Sequence, residues 1–93
     1  MMKTFRNHLK NKLKDKAFAE AYTYEQELLA IAMKINEERT KHGLSQVQLA
    51  QKARITQQQL SKIEHGENCN ILTFLKVSKA LDLEVDVVKS TAG

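Results

Sequence analysis

The chain has 93 residues, with 15 lysines and arginines against 11 acidic residues and a formal net charge of +4. That length suits one small domain burying only about 60–65 % of its unfolded surface, so association would add to its stability. No apolar run is long enough to span a bilayer and no secretory h-region appears, so no membrane partner is expected. The single cysteine, Cys69, cannot form an internal disulfide, which suits a reducing cytoplasm, the expected location. Proline is absent and there are three glycines, a composition that favours helices. The basic excess lies in residues 1–22, where Lys3, Arg6, Lys10, Lys12, Lys14 and Lys16 outweigh Asp15 and Glu20. Charge alone is therefore a weak argument for a nucleic-acid partner.

Residues 4–22 read as a helical extension with a break near Asp15. Phe5, Leu9 and Leu13 share one stripe, and Phe18 and Tyr22 continue a second. Residues 24–42 read as a clearer amphipathic helix, with Leu28, Ile31, Ala32 and Ile35 on its apolar face and Gly43 at its end. The chain thus divides into an extension (1–23), a central domain (24–82) and a tail (83–93).

Two segments are then spelled alike, LSQVQLA from Leu44 and ITQQQLS from Ile55. Each is a helix start. Ser45 and Thr56 are placed to cap, with Gln48 and Gln59 three residues on to close a capping box. Leu44 and Ile55 are placed to pack as staples on Leu49 and Leu60. The offset of the two starts predicts a helix of about eight residues, a short turn, and another helix ended by His65-Gly66. Asn70 caps a fourth helix whose inner face is read as Ile71, Phe74, Val77, Ser78 and Leu81. Leu83, Val85 and Val87 alternate with Glu84 and Asp86 as in a short β-strand.

The second of the paired helices carries three consecutive glutamines. Leu60 and Ile63 point inward on a helical wheel; Gln58, Ser61, Lys62 and His65 point outward, with Gln57 at the first turn. Glutamine donates and accepts at once, so it suits adenine N6 and N7 in the major groove. Gln57 and Gln58 are the expected base readers, Lys62 lies one turn deeper, and Thr56 is placed to touch a thymine methyl. Gln46, at the preceding helix start, is placed to hold a phosphate. A merely solvated helix face is the bland alternative for the glutamines. His8, His42, His65 and Cys69 lack metal-ligand spacing, so no metal or other cofactor is expected. No nucleophile motif, glycine-rich phosphate loop or recognisable carboxylate pair suggests an enzyme or a small-molecule substrate.

The pattern R-x-x-x-G-L-S-Q-x-Q-L-A followed by I-T-Q-Q-Q-L-S-K-I-E-x-G, from Arg39 to Gly66, resembles the Xre/Cro-type helix-turn-helix repressors. With LKDKAFAEAY upstream, LTFLKVSKAL and the terminal LEVDVV, residues 9–88 are similar to HigA-type antitoxins of toxin–antitoxin operons. The resemblance implies an all-α, five-helix, lambda-repressor-like domain with an N-terminal helical extension and a short C-terminal strand. It implies a homodimer that binds double-stranded operator DNA and a HigB-type toxin, an mRNA endonuclease. At the matching positions it implies Gln46 as phosphate clamp, Gln57, Gln58 and Lys62 as readers, and an ion pair between Arg39 and Glu64. The family's frequent turn glycine is Arg54 here, and its frequent proline before helix four is Cys69. Phe5, Leu9, Leu13, Phe18 and Tyr22 are expected to meet the toxin, a solvated helix being the alternative. Leu72, Leu75, Leu83, Val85 and Val87 are expected to meet a second subunit, with addition of the tail to the toxin's sheet as the rival. A stand-alone phage-type repressor and a helical protein-interaction module without DNA binding are the competing functions.

Overall fold

The computed structural model describes the backbone of residues 5–90 and the side chains of residues 15–90. These form four helices, α1 (Phe5–Lys41), α2 (Gln46–Ala53), α3 (Gln57–Glu64) and α4 (Ile71–Ala80). Ile35, Leu49, Ala50, Ala53, Leu60, Ile63, Val77, Ala80 and Leu81 form one core, sealed by half-buried Leu44, Ile55, Cys69, Phe74 and Leu83. The C-terminal third of α1 packs on this core. At about 1.5 Å per residue its 37 residues span roughly 55 Å, so its N-terminal half reaches well past the globular part.

Neither the break near Asp15 nor the boundary after Tyr22 exists. The extension and the first domain helix are one element, so the described residues hold four helices rather than five. The segment between Phe5 and Lys41 has no glycine or proline, the residues that most strongly break a helix. Thr23, between the two expected helices, returns its hydroxyl to the Ala19 carbonyl at 2.9 Å and stays helical.

Both repeated helix starts are built as capping boxes. Ser45 Oγ accepts from the Gln48 N–H at 3.1 Å, and Gln48 Oε1 accepts from the Ser45 N–H at 2.8 Å. Thr56 and Gln59 repeat this at 3.0 and 2.9 Å. Asn70 caps α4 through the Leu72 N–H.

All four helices close in the same way. Just past each end a residue turns left-handed, and the next N–H bonds back to a carbonyl five residues earlier. The four bonds are Leu44 to Arg39, Ile55 to Ala50, Glu67 to Lys62 and Leu83 to Ser78, at 2.8–3.1 Å. The left-handed residues are Gly43 and Gly66, which need no Cβ, and Arg54 (φ 59°) and Asp82 (φ 58°), which carry one.

On α4, Val77, Ser78 and Leu81 are buried and Phe74 half-buried, but Ile71 is 75 % exposed. It occupies the first helical position and borders an open cleft that it shares with Leu28 and Ile31 of α1. Ile31 of α1 is likewise 40 % exposed. The strand expected over 83–88 does not form among the described residues. Leu83 packs against the core, whereas Val85 and Val87 are exposed. Alternation suits a strand, but a strand also needs a neighbouring strand to take its N–H and C=O groups, and the described residues form no second strand.

Candidate nucleic-acid interface

Helix α3 buries Leu60 and Ile63 and leaves Gln57, Gln58 and Lys62 in solvent. Its first-turn amides are sorted by local hydrogen bonding. Gln59 is held in the cap, so the outward amides of Gln57 and Gln58 are the ones left for a partner. The Thr56 Oγ1 accepts within the cap, which leaves its O–H hydrogen to donate and its methyl for an apolar contact. Lys62 makes no ion pair among the described residues. Ser61 is half-buried, and its hydroxyl lies 3.4 Å from His65 Nδ1. That nitrogen in turn donates to the Ser61 carbonyl at 2.6 Å, so Ser61 is less available than the wheel implies.

Behind this surface a polar network ties three helices together. Glu64, whose side chain is 2 % exposed, accepts from Arg39 Nε at 2.8 Å and Arg39 Nη2 at 3.1 Å. Arg39 Nη1 donates to the Leu44 carbonyl at 2.8 Å, just before α2 begins. Glu64 also accepts from Asn36 at 3.0 Å and from Gln46 at 3.2 Å. Burial pushes the Glu64 carboxyl upward, but the hydrogen bonds from Arg39, Asn36 and Gln46 outweigh it and hold the group below its ordinary value.

This network changes the reading of Gln46. Its amide is half-buried and already donates one hydrogen to Glu64. One amide hydrogen and the backbone N–H groups at the start of α2 remain for a phosphate. The sequence reading missed Asn36. Its only signal was its place one helical turn before Arg39 on the same face. It also missed a polar cleft beside Lys62, lined by Gln59, Asn68, Cys69, Asn70 and Thr73. The Cys69 thiol in that cleft is half-buried and pushed upward by burial.

Phe18 and Tyr22, expected to meet a toxin, lie on the protruding part of α1 with their rings stacked at 6.4 Å. Both are exposed. The side chains of Phe5, Leu9 and Leu13 lie outside the described residues. Leu72 and Leu75 project from α4 into solvent. Among the described residues no group of His, Cys, Asp and Glu could hold a metal ion, and no helix is long and apolar enough to cross a membrane.

Two short capped helices, the second presenting donors and acceptors outward over a buried apolar face, define a helix-turn-helix module. A helix-turn-helix family model matches residues 35–88. The chain belongs to this Xre/Cro-type family of DNA-binding transcriptional regulators. The matched span begins at Ile35 and takes in Arg39, all of α2–α4 and the start of the tail. Most of the α1 extension lies outside it. No curated protein matches the chain.

Proposed function

We propose that the protein is an antitoxin that neutralises a HigB-type toxin and, as a homodimer, binds operator DNA through α3 to repress its own operon. The DNA-reading part rests on the outward Gln57 and Gln58 at the start of α3, free of the cap that holds Gln59. Lys62 extends this surface, the Thr56 methyl borders it, and Gln46 with the start of α2 supplies phosphate contact. Arg39 and Glu64 serve as the structural pair that orients α1 and α3.

The antitoxin part is supported by α1. Phe18, Tyr22, Leu29 and Met33 recur at helical spacing on one face and all are exposed. A regulator that only read DNA would have no use for an apolar stripe on a protruding helix. Phe5, Leu9 and Leu13 would lengthen the docking surface towards the N-terminus. Leu72, Leu75 and Val85 are exposed apolar groups on α4 and the tail, which supports a second subunit there. Leu83 would anchor the tail to its own core, and Val87 would cover the partner.

The test is genetic and physical together. The adjacent reading frame should arrest growth when expressed alone and be harmless with this protein present. A chain beginning at Tyr24 should still bind operator but protect less. Protection undiminished by that truncation would move the toxin contact off the extension. A chain ending at Asp82 should be monomeric in light scattering, and a persisting dimer would clear the tail of the dimer role.

A further inference from the structure

At the C-terminal end of α2, away from the end that meets the Arg39–Glu64 network through Gln46, lies an open cleft of about 500 Å³, lined by Lys52, Ala53, Arg54, Lys76, Lys79 and Ala80. Four of its six lining residues are cations and none is acidic. Lys52 and Arg54 come from the end of α2 and the turn after it; Lys76 and Lys79 stand one turn apart on α4.

None of the four is in an ion pair or side-chain hydrogen bond among the described residues. The cations of the C-terminal part of α1 are the reverse case. Lys34 and Lys41 pair with Glu37 and Glu38, and Arg39 pairs with Glu64. Like charges gathered in one cleft repel, and no ion pair among the described residues offsets that repulsion. Arg54 adds backbone strain, holding a left-handed conformation with a Cβ where two of the four helix ends use glycine. A cluster that opposes folding in two ways calls for an anion brought from outside.

The position of the cleft selects the anion. Arg54 lies two residues before Thr56, the cap of α3, and three before Gln57. Three residues span at most about 10 Å, so the cleft adjoins the end of α3 at which the outward glutamines project. A duplex that offers bases to those glutamines brings its sugar-phosphate backbone to the same end. Two rows of cations, on two elements, suit the repeated charge of that backbone better than one isolated carboxylate.

We propose that the Lys52–Arg54–Lys76–Lys79 cleft is a second phosphate-backbone site, gripping DNA that flanks the bases read by α3. It rests on the DNA-reading function above and adds a contact to which neither the glutamines nor Gln46 contributes. Its contribution is independent of base sequence and sensitive to salt.

The experiment measures duplex affinity of the full chain by fluorescence anisotropy across a salt titration, on operator and on random-sequence DNA. Lys76→Gln/Lys79→Gln should weaken both duplexes by the same factor. It should reduce the slope of log affinity against log salt by about 2. Lys76→Arg/Lys79→Arg should restore the slope, and Lys16→Gln/Lys89→Gln, removing equal charge elsewhere, should leave it as in the parent. Arg54→Gly serves as a second variant because it relieves strain: the slope should fall by about 1 with no loss of melting temperature. Unchanged slopes in folded Lys76→Gln/Lys79→Gln and Arg54→Gly would overturn the proposal, as would an equal fall in the control pair. Unchanged slopes with loss of polyglutamate binding would give the cleft to an acidic protein instead. Failure of the parent chain to bind any duplex would sink the DNA reading itself, so the two failures are distinguishable.

Discussion

Replacing Arg39 by alanine tests whether the polar network is what fixes α1 against α3. The guanidinium makes two charge-assisted hydrogen bonds to Glu64 and a third to the Leu44 carbonyl. Without it, a carboxylate only 2 % exposed keeps just the neutral donors of Asn36 and Gln46. Breaking a buried pair from one side costs about 3–5 kcal/mol. The lower end applies here, because two amides still solvate the carboxylate and water can fill the space left by the arginine. For a domain of this size about 3 kcal/mol corresponds to a fall in melting temperature of roughly 12–24 °C. Thermal melts followed by circular dichroism, with Arg39→Ala, Glu64→Ala and the double variant, form the cycle. The double variant should be less destabilised than the sum of the singles, since removing both partners leaves no stranded charge. If Arg39→Ala melts with the parent, or the singles simply add, the network does not hold the helices together.

Gln58→Ala should weaken operator binding by about 1–3 kcal/mol and relax preference at one position per half-site, measured on single-base operator variants; Gln46→Ala should weaken all sequences alike. Because the Glu64 carboxyl is held below its ordinary value in the fold, its stabilising contribution is complete above the unfolded value and is lost as pH falls through the folded one. Urea titrations of the parent below about pH 4.5 should therefore show a loss of stability that Glu64→Gln lacks, and parallel curves would count against it. Gly66→Ala should cost about 1–2 kcal/mol in the same assay. Its φ is +78°, and a Cβ there would sit 2.7 Å from Leu29 Cδ2.

The helix-turn-helix was legible because its signals are local. A hydroxyl residue with glutamine three positions on is a complete hydrogen-bonded unit, so Ser45, Gln48, Thr56 and Gln59 declare two helix starts without any tertiary information. The outward set on α3 follows from helical periodicity once Leu60 and Ile63 are assigned inward. The Glu64 network is a different kind of object. Arg39 and Glu64 were paired through the family resemblance, but Asn36 and Gln46 join them only because α1, α2 and α3 converge on one carboxylate. The basic cleft was hidden for the same reason: Lys52 and Lys79 are 27 positions apart in sequence and meet only when α4 packs on α2. The tail shows the opposite limit. Its alternation is plain in the sequence, but a strand is a property of a pair, and a single chain supplies one member.

The placement of a boundary after Tyr22 failed for an instructive reason. The periodic stripe weakens there, and a weak stripe reads as a gap between two elements. Yet a helix stops only where something stops it: a glycine, a proline, or a cap that offers the backbone a better partner. Between Phe5 and Lys41 stands no glycine or proline, and Thr23 bonds within the helix. Apolar periodicity reports what a helix packs against, not how far it runs. Where the stripe turns into exposed Phe18 and Tyr22, the helix has left its own core behind. The continuity has a mechanical consequence. Arg39, which ties α1 to α3 through Glu64, and Phe18 lie on one element, so a partner docked on the extension is held at a fixed angle to the reading helix. Any influence that partner has on DNA binding therefore needs no hinge within α1: steric overlap with a neighbouring subunit or with the duplex is sufficient.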